Sequence, residues 1–363
     1  MHNITNTKPV LEINLSYVQQ NYLLAKSKLS TSTNCSAVIK TNAYGIGARE
    51  VFKALKAVGC ADFYFSYFDE AHALHDLYSG DERIYVFAPQ NDAEMRELLR
   101  HNYIPVLNSL KEIDALRYIA HGSGINTPCV IQFDTGMNRV GLNYYDIESL
   151  DLSGLDIMYI MSHLACADTP AHPKNMEQLD KVKKIVQVLP GYKLSLCNSS
   201  GIFLGSNYHF DQVRPGCMLY GINPTPEFKN PVLPVASVYA KVVGIRELRK
   251  AESVSYGATV IVPKGTRIAT LAIGYADGYH RVLSNNAYCY FDKFRLPVLG
   301  CVTMDFIMVD ITKVPEQYLA NFTYVEVMGA NITVDEIAKR AKTIGYEILT
   351  SLHNRYNRFY ING

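Results

Sequence analysis

A lysine at position 40 is the first candidate for chemistry. It closes the apolar run 36–39 and is followed by segment 41–47, which carries two glycines. A short, partly β-branched apolar run is typical of a buried strand, and the glycines indicate a turn whose amides face an anion. Burial and neighbouring cations lower the pKa of such a lysine and make its amine a nucleophile. The alternative is a lysine with a buried stem and a hydrated ammonium.

Further polar residues stand where later apolar runs end. They are Asp134 and Arg139 after the fifth run, His163 after the sixth, Ser199 after the seventh, and Arg214 and Gly216 at the eighth. Singly, Asp134 could cap a turn and His163 could be a core histidine. In a barrel of parallel strands these ends share one face, and loops seven and eight hold phosphate. A strand-end lysine beside a phosphate cradle predicts pyridoxal phosphate bound as a Schiff base.

The apolar runs recur at a regular spacing with amphipathic stretches between them. The predicted strands are 36–40, 63–68, 84–88, 104–107, 129–133, 157–162, 194–197 and 213–220. Eight strand–helix units predict an α/β fold with a closed (β/α)₈ TIM barrel. An open doubly wound sheet is the alternative, but no G-x-G-x-x-G turn follows any of these strands.

The pattern changes after the prolines at 224 and 226. From residue 238 onward the apolar residues alternate, which predicts a mostly β second domain. Thr333 and Glu336 form a capping box that opens a helix to residue 344, and Gly345 is expected to close it. The predicted domains are a barrel over 1–226 and a β-rich domain over 227–363, with a first strand at about 8–15 assignable to either.

Composition excludes several classes of protein. A formal net charge of +1 over 363 residues gives no general attraction to nucleic acid or to an anionic membrane. Eight cysteines without C-x-x-C spacing argue against zinc and disulfides and favour a reducing, cytoplasmic location. The N-terminal segment 1–8 has no apolar region of a signal peptide, and no apolar stretch approaches the ~20 residues of a membrane span.

The ordered set of motifs resembles the alanine racemases, pyridoxal 5′-phosphate enzymes of fold type III. The matching segments are 37–47 (AVIKTNAYGIG), 134–141, 162–165, 213–216, 255–259, 274–278 and 304–305. The resemblance covers nearly the whole chain. It implies a barrel followed by a β-domain, and a head-to-tail homodimer in which the second domain of one chain closes the barrel mouth of the other. It also implies interconversion of L- and D-alanine, which supplies D-alanine for peptidoglycan.

The resemblance also implies roles for single residues. Lys40 would hold the cofactor and act as one base, and Tyr256 from the partner subunit would be the base on the opposite face of the substrate. Arg139 and His163 would favour the Tyr256 phenolate. The remaining expected contacts are Tyr44, His163, Ser199, Arg214 and Gly216 around the cofactor, and Arg139, Tyr275, Met304 and Asp305 around the amino-acid substrate. Arg214 would face the pyridine nitrogen and keep it unprotonated, since arginine does not give up its proton.

Three positions depart from the family pattern. Gln132 stands where many members carry a carbamylated lysine, Asn354 stands where some carry a phosphate-binding tyrosine, and Thr303 replaces a common cysteine. Gln132 leaves open a racemase for serine, lysine or another amino acid. A decarboxylase of the same fold type is disfavoured by Arg214, and a non-catalytic pyridoxal-phosphate carrier is disfavoured by the β-domain.

Overall fold

The first half of the chain forms a ring of parallel strands. The computed structural model describes residues 6–88, 91–123 and 127–363; residues 1–5, in the segment where no signal peptide is predicted, lie outside it. The first eleven strands are β1 Val10–Asn14, β2 Asn34–Cys35, β3 Ala37–Val38, β4 Asp62–Phe65, β5 Arg83–Val86, β6 Ile104–Leu107, β7 Pro128–Asp134, β8 Leu142–Asn143, β9 Asp156–Met161, β10 Leu194–Ser195 and β11 Gln212–Val213. Nine of them follow one another in the order β2-β11-β10-β9-β7-β6-β5-β4-β3, and β8 joins the side of β7. Only Ser36 separates β2 from β3, so residues 34–38 fill one place in the ring and the path returns to its start.

Helices connect these strands. They are α1 Leu15–Ser27, α2 Lys40–Tyr44, α3 Ala48–Ala57, α4 Phe68–His72, α5 Asp92–Arg100, α6 Leu110–Ser123 and α7 Pro173–Val188, with short 3₁₀ turns at His75–Leu77, Tyr144–Ser149, Gly201–Leu204, Ser206–Tyr208 and Cys217–Tyr220. One of these helices, α2, is a left-handed turn rather than a regular α-helix. The strand predicted over 213–220 is wrong beyond Val213, because the chain turns at Gly216 into the 3₁₀ turn. Of the helices in the described part of the chain, none combines the length and apolar character needed to cross a bilayer.

The second half builds a largely antiparallel sheet. Its strands are β12 Ala236–Glu247, β13 Glu252–Ser253, β14 Ile261–Val262, β15 Arg267–Leu271, β16 Tyr288–Phe291, β17 Phe294–Leu299, β18 Ile307–Asp310, β19 Tyr324–Met328 and β20 Asn357–Ile361. The sheet order is β15-β18-β17-β16-β19-β12-β1-β20, with β13 and β14 paired separately. The N-terminal strand β1 therefore lies in this sheet, antiparallel to β12 and parallel to β20. A barrel followed by a strand-rich domain confirms the predicted fold class.

Two helices complete this half, and one of them was not predicted. Helix α8, Val334–Ala341, starts as predicted, since Thr333 Oγ1 accepts the Glu336 amide at 3.2 Å. Gly345 was expected to end it, and that is wrong. The left-handed Lys342 terminates α8, and Gly345 opens helix α9, Gly345–Thr350. Four 3₁₀ turns lie at Tyr256–Ala258, Tyr275–Asp277, Arg281–Leu283 and Glu316–Asn321.

The second half braces the turn that begins at Lys40. Arg358 donates to the carbonyl of Gly45 at 2.7 Å, and the Tyr360 hydroxyl donates to the carbonyl of Ile46 at 3.1 Å. A side chain at Gly45 would place its Cβ 2.3 Å from the backbone oxygen of Leu349, so only glycine lets α9 approach this closely. The reactive turn is thus set by both halves of the chain.

Candidate active site

The turn after Lys40 is left-handed. Residues 41–44 have φ values of 54, 53, 53 and 55°, a conformation that costs about 1–2 kcal/mol per non-glycine residue. Hydrogen bonds offset this strain: Glu70 Oε1 accepts the Thr41 amide at 2.9 Å, and Asn42 Oδ1 accepts the Ala48 amide at 2.8 Å. Strain held in place by its surroundings is typical of functional sites.

The amine of Lys40 lies inside the ring mouth. Its Nζ is 5.7 Å from the centroid of the Phe87 ring. Burial lowers the pKa of Lys40, the positive charge of Arg139 lowers it further, and the carboxylate of Glu70 opposes both. A larger fraction of this lysine is therefore the neutral, nucleophilic amine at neutral pH than for a free lysine.

Lys40 borders a cavity of about 450 Å³ at the C-terminal ends of the ring strands. Its lining is Val38, Lys40, Thr41, Tyr44, Phe87, Ala88, Asn108, Gln132, Arg139, Val140, Met161, His163, Asn198, Ser199, Arg214, Gly216, Cys217, Tyr346 and Thr350. Among these described residues there are three basic side chains and no acidic one. Such a cavity favours a small molecule with negative groups, such as a phosphate or a carboxylate.

Arg214 is held rigidly at the back of the cavity. Its guanidinium donates to Ser195 Oγ at 2.5 Å and to the Ser162 carbonyl at 2.7 Å, and only 2% of the residue is exposed. Nη2 of Arg214 also lies 3.4 Å from Nδ1 of His163. Because arginine only donates, this contact favours a lone pair on Nδ1, whereas Nδ2 of Asn198 lies 3.5 Å from Nε2 and competes for a lone pair there.

His163 is neutral in this environment. Burial lowers the pKa of His163 to about 3, and the neighbouring charges of Arg214, Arg139 and Lys40 act in the same direction. The positive charge around the His163 ring therefore comes from Arg214, Arg139 and Lys40 and not from the ring itself.

His163 is expected to make folding sensitive to acid. Its folded-state pKa lies below the unfolded value, so the unfolded chain takes up the proton first and stability falls as pH drops below 6.5 towards 3. Between pH 7.5 and 5 this group accounts for about 2 kcal/mol of lost unfolding free energy. Urea unfolding of the cofactor-free protein at both pH values measures this change in unfolding free energy. The His163→Gln variant should lose less unfolding free energy between the two pH values than the parent does. An equal loss in parent and variant would contradict the assignment.

A pocket for an anion lies beside Lys40. Ser199 Oγ accepts the amides of Gly216 at 2.9 Å and Met218 at 3.3 Å, which leaves its own proton free to donate into the cavity. A Cβ on Gly216 would lie 2.4 Å from the Tyr44 hydroxyl, so a side chain there would displace the Tyr44 ring. Burial raises the pKa of Tyr44 well above its usual range, which keeps its hydroxyl protonated and able to donate.

Arg139 is positioned by the turn before it. Asp134 accepts the amides of Gly136 at 2.7 Å, Met137 at 2.8 Å and Arg139 at 2.9 Å. Burial raises the pKa of Asp134, but these backbone donors outweigh burial and the net shift is downward. The acid therefore acts as the cap of a turn, and Arg139 extends from that turn to the cavity.

Four of the predicted site residues do not line this cavity. Tyr256, Tyr275 and Met304 are exposed by 74%, 41% and 54%, and Asp305 accepts a hydrogen bond from Arg355 at 2.7 Å. Hydrogen bonds gather their segments into one surface: Ser255 Oγ donates to the Cys301 carbonyl at 2.7 Å, and the Tyr275 amide donates to the Thr303 carbonyl at 3.0 Å. We call this surface of Tyr256, Tyr275, Met304 and Asp305 the β-domain face.

Sequence reasoning missed Tyr346. This residue lies on α9, lines the cavity, and its ring centroid is 5.8 Å from that of Tyr44. A short helix far along the chain carried no signal linking it to Lys40, since the link is made only by tertiary packing. Asn108 also lines the cavity and belongs to no motif, whereas Asn198 lies beside Ser199 in the loop after the seventh predicted strand.

Comparison with known proteins places the chain in a family. Family models for the N-terminal and C-terminal domains of alanine racemase match residues 13–224 and 235–360. The alanine racemase of Rhodospirillum rubrum is 39% identical over 356 residues, which cover 97% of this chain and 95% of that protein. The chain belongs to the alanine racemase family. The predicted resemblance is therefore confirmed.

Further alanine racemases agree in sequence and structure. A catabolic alanine racemase of Mesorhizobium japonicum is 40% identical over 359 residues, or 98% of this chain and 93% of that protein. The crystal structure of alanine racemase from Bartonella henselae, with covalently bound pyridoxal phosphate, superimposes with a TM-score of 0.91 at 34% identity and covers 98% of this chain and all of that one. The biosynthetic alanine racemase of Pseudomonas aeruginosa gives 0.88 at 31% identity over 98% and 99% of the two chains.

Two departures from the family pattern can be located within this alanine racemase fold. Gln132 is buried on the cavity wall, and its Nε2 donates to the Val140 carbonyl at 3.4 Å. A neutral amide thus stands beside the turn that presents Arg139. Asn354 is exposed and is not among the described residues that line the cavity.

Proposed function

We propose that this protein is a pyridoxal-phosphate-dependent racemase that interconverts L- and D-alanine. The observation that carries the proposal is the convergence, in one cavity, of the depressed-pKa amine of Lys40, the fixed guanidinium of Arg214 and the donors of Tyr44 and Ser199. Membership of the alanine racemase family supports the substrate. The eight cysteines are all free, which supports a reducing, cytoplasmic location. From the family we infer that the D-alanine formed is supplied to peptidoglycan.

The residues present fit the cofactor. A cofactor phosphate would accept hydrogen bonds from the hydroxyls of Ser199 and Tyr44, in a space that a Cβ on Gly216 would fill. Among the described lining residues no acidic side chain would repel it. Lys40 supplies the amine that binds an aldehyde carbon. Arg214 would face the ring nitrogen of the bound cofactor, and because arginine retains its proton it would leave that nitrogen unprotonated.

Racemisation needs proton transfer on both faces of the substrate Cα. When bound, the cofactor supplies the electron sink that acidifies the Cα–H bond. Once the substrate amine has displaced it from the cofactor, the Lys40 amine would exchange the proton on one face, and the Tyr256 phenol of the partner subunit would exchange it on the other. Arg139 stands at the open side of the cavity, where its charge attracts the substrate carboxylate and favours a phenolate beside it.

A head-to-tail homodimer is part of the proposal. Tyr256 is 74% exposed and lies outside the cavity of its own chain, so it can act only if a second copy presents it. The β-domain face, together with exposed Phe306, offers apolar area that association would bury. Each mouth would then be closed by the other chain.

Substrate choice is tested with single amino acids. The holoenzyme is incubated with L-alanine, L-serine or L-lysine, and the enantiomers are resolved over time. Alanine should racemise fastest, as membership of the alanine racemase family implies. Faster conversion of serine or lysine would assign the protein a different substrate, the alternative raised by Gln132.

Tyr346 is expected to take part in binding the cofactor phosphate. It lines the cavity beside Tyr44, while Asn354 provides no tyrosine hydroxyl. Tyr346→Phe should weaken pyridoxal-phosphate binding to the cofactor-free protein by about 1 kcal/mol, or roughly fivefold. Fluorescence titration measures it, with Tyr118→Phe, a change at a 76% exposed tyrosine, as the control. Equal affinities in both variants would remove Tyr346 from the phosphate site.

A further inference from the structure

Three histidines gather on the outside of the barrel, away from the cavity. His72 ends α4, His75 opens the 3₁₀ turn that follows, and His101 follows α5. One ring nitrogen of each histidine lies within 4.8 Å of those of the other two. We call His72, His75 and His101 the histidine cluster. Nothing in the proposed racemisation uses it.

The surroundings of the cluster orient one of its rings. The Tyr103 hydroxyl lies 3.1 Å from Nδ1 of His75. If a metal bound at Nε2 of His75, Nδ1 could keep its hydrogen bond to Tyr103. Such an outer hydrogen bond is usual for metal-binding histidines.

We propose that the histidine cluster binds a divalent transition-metal ion such as Zn²⁺. Imidazole nitrogens suit Zn²⁺, Ni²⁺ and Cu²⁺, whereas Mg²⁺ and Ca²⁺ require oxygen ligands. Zinc bonds of about 2.0–2.1 Å in a tetrahedral site place the ligand nitrogens about 3.3 Å apart, so the three nitrogens must close by up to about 1.5 Å. His72 and His75 are exposed, which leaves room for this adjustment. Water completes the coordination. Glu97 is less suited, because it pairs with Arg100 and stays 4.0 Å from His101.

A bound ion would join two neighbouring units of the barrel. His72 and His75 belong to the segment after β4, and His101 belongs to the end of α5. Glu70, two residues before His72, also accepts the Thr41 amide beside Lys40. The ion would therefore stiffen the segment that supports the reactive turn, and we expect it to raise the melting temperature of the protein.

The alternative is that the three rings serve only aromatic packing. His72 stacks on Phe68 with centroids 5.1 Å apart, and His101 lies 5.6 Å from Tyr103. Substitution by phenylalanine separates the two readings, because it keeps an aromatic ring and removes the ligand nitrogen. His353, exposed and outside the cluster, offers a matched control.

Zinc binding to the chelator-treated holoenzyme is the test. Calorimetry should give about one Zn²⁺ per chain, with at least ~10-fold weaker binding in His72→Phe, His75→Phe and His101→Phe and unchanged binding in His353→Ala. Thermal unfolding should show a zinc-dependent rise only in the parent and the control, and it reports whether each variant is folded. Cobalt substitution should give a visible spectrum of nitrogen ligands. No binding by the parent, equal affinity in the phenylalanine variants, or a thiolate-to-cobalt band would overturn the proposal.

Discussion

Lys40→Ala is expected to abolish both cofactor attachment and turnover. The variant lacks the amine that the structure places in the cavity beside Phe87 and Arg139, so it loses the covalent anchor and one proton-transfer group together. Racemase activity should fall by about 10⁴-fold or more. The visible absorbance of lysine-bound pyridoxal phosphate, read before and after borohydride, measures attachment, and a chiral assay measures turnover.

Peptide mapping after borohydride completes this experiment. In the parent, the label should be found on Lys40 alone, and Lys53→Ala, a change at an exposed lysine of α3, should behave as the parent does. A label on another lysine, or a visible band that survives in Lys40→Ala, would show that the cofactor is held elsewhere.

Tyr256→Phe should leave the cofactor bound and remove most of the activity. The substitution deletes one hydroxyl on an exposed side chain, so folding and the Lys40 cavity are untouched. Loss of a general acid–base group predicts a fall of about 10²–10⁴-fold. Tyr145→Phe, at a tyrosine 78% exposed in the barrel half, is the control. Unchanged activity in Tyr256→Phe would contradict the two-base assignment.

Mixing the two inactive variants tests whether the site is shared between subunits. A hybrid of Lys40→Ala and Tyr256→Phe chains has one site with both groups intact and one with neither, if Tyr256 acts on its partner's barrel. Random exchange of equal amounts should restore about a quarter of the parental activity, the share of intact sites in a two-fold dimer. If Tyr256 served its own chain, every site would keep one lesion and mixing would restore nothing.

Much of the barrel was predictable because its signals are local. Apolar runs separated by helical stretches predict strands and connections from a few neighbouring residues, and strand-end polar residues then share one face. Lys40, Arg139, His163, Ser199, Arg214 and Gly216 indeed line one cavity. The strand predicted over 213–220 failed where Pro215 and Gly216 direct the chain into a 3₁₀ turn.

Contacts between distant segments were beyond local reasoning. Strand β20 pairs with β1 across almost the full length of the chain, and α9 brings Tyr346 next to Tyr44. The left-handed turn at 41–44 is likewise supported by distant residues, since Glu70 accepts the Thr41 amide and Arg358 donates to the carbonyl of Gly45, the next residue. Residue preferences give no sign of these arrangements, since their free energy comes from tertiary partners.

By itself, the sequence determined the order of elements, the family and the set of reactive residue types, because periodicity and motif spacing are properties of neighbouring residues. Only the tertiary structure decided which of those residues meet. It placed Lys40 and Arg214 in one buried cavity, left Tyr256 on an exposed face, and brought three histidines from two connections together. Burial and the approach of charges set the pKa of Lys40, and both arise only when the chain is folded.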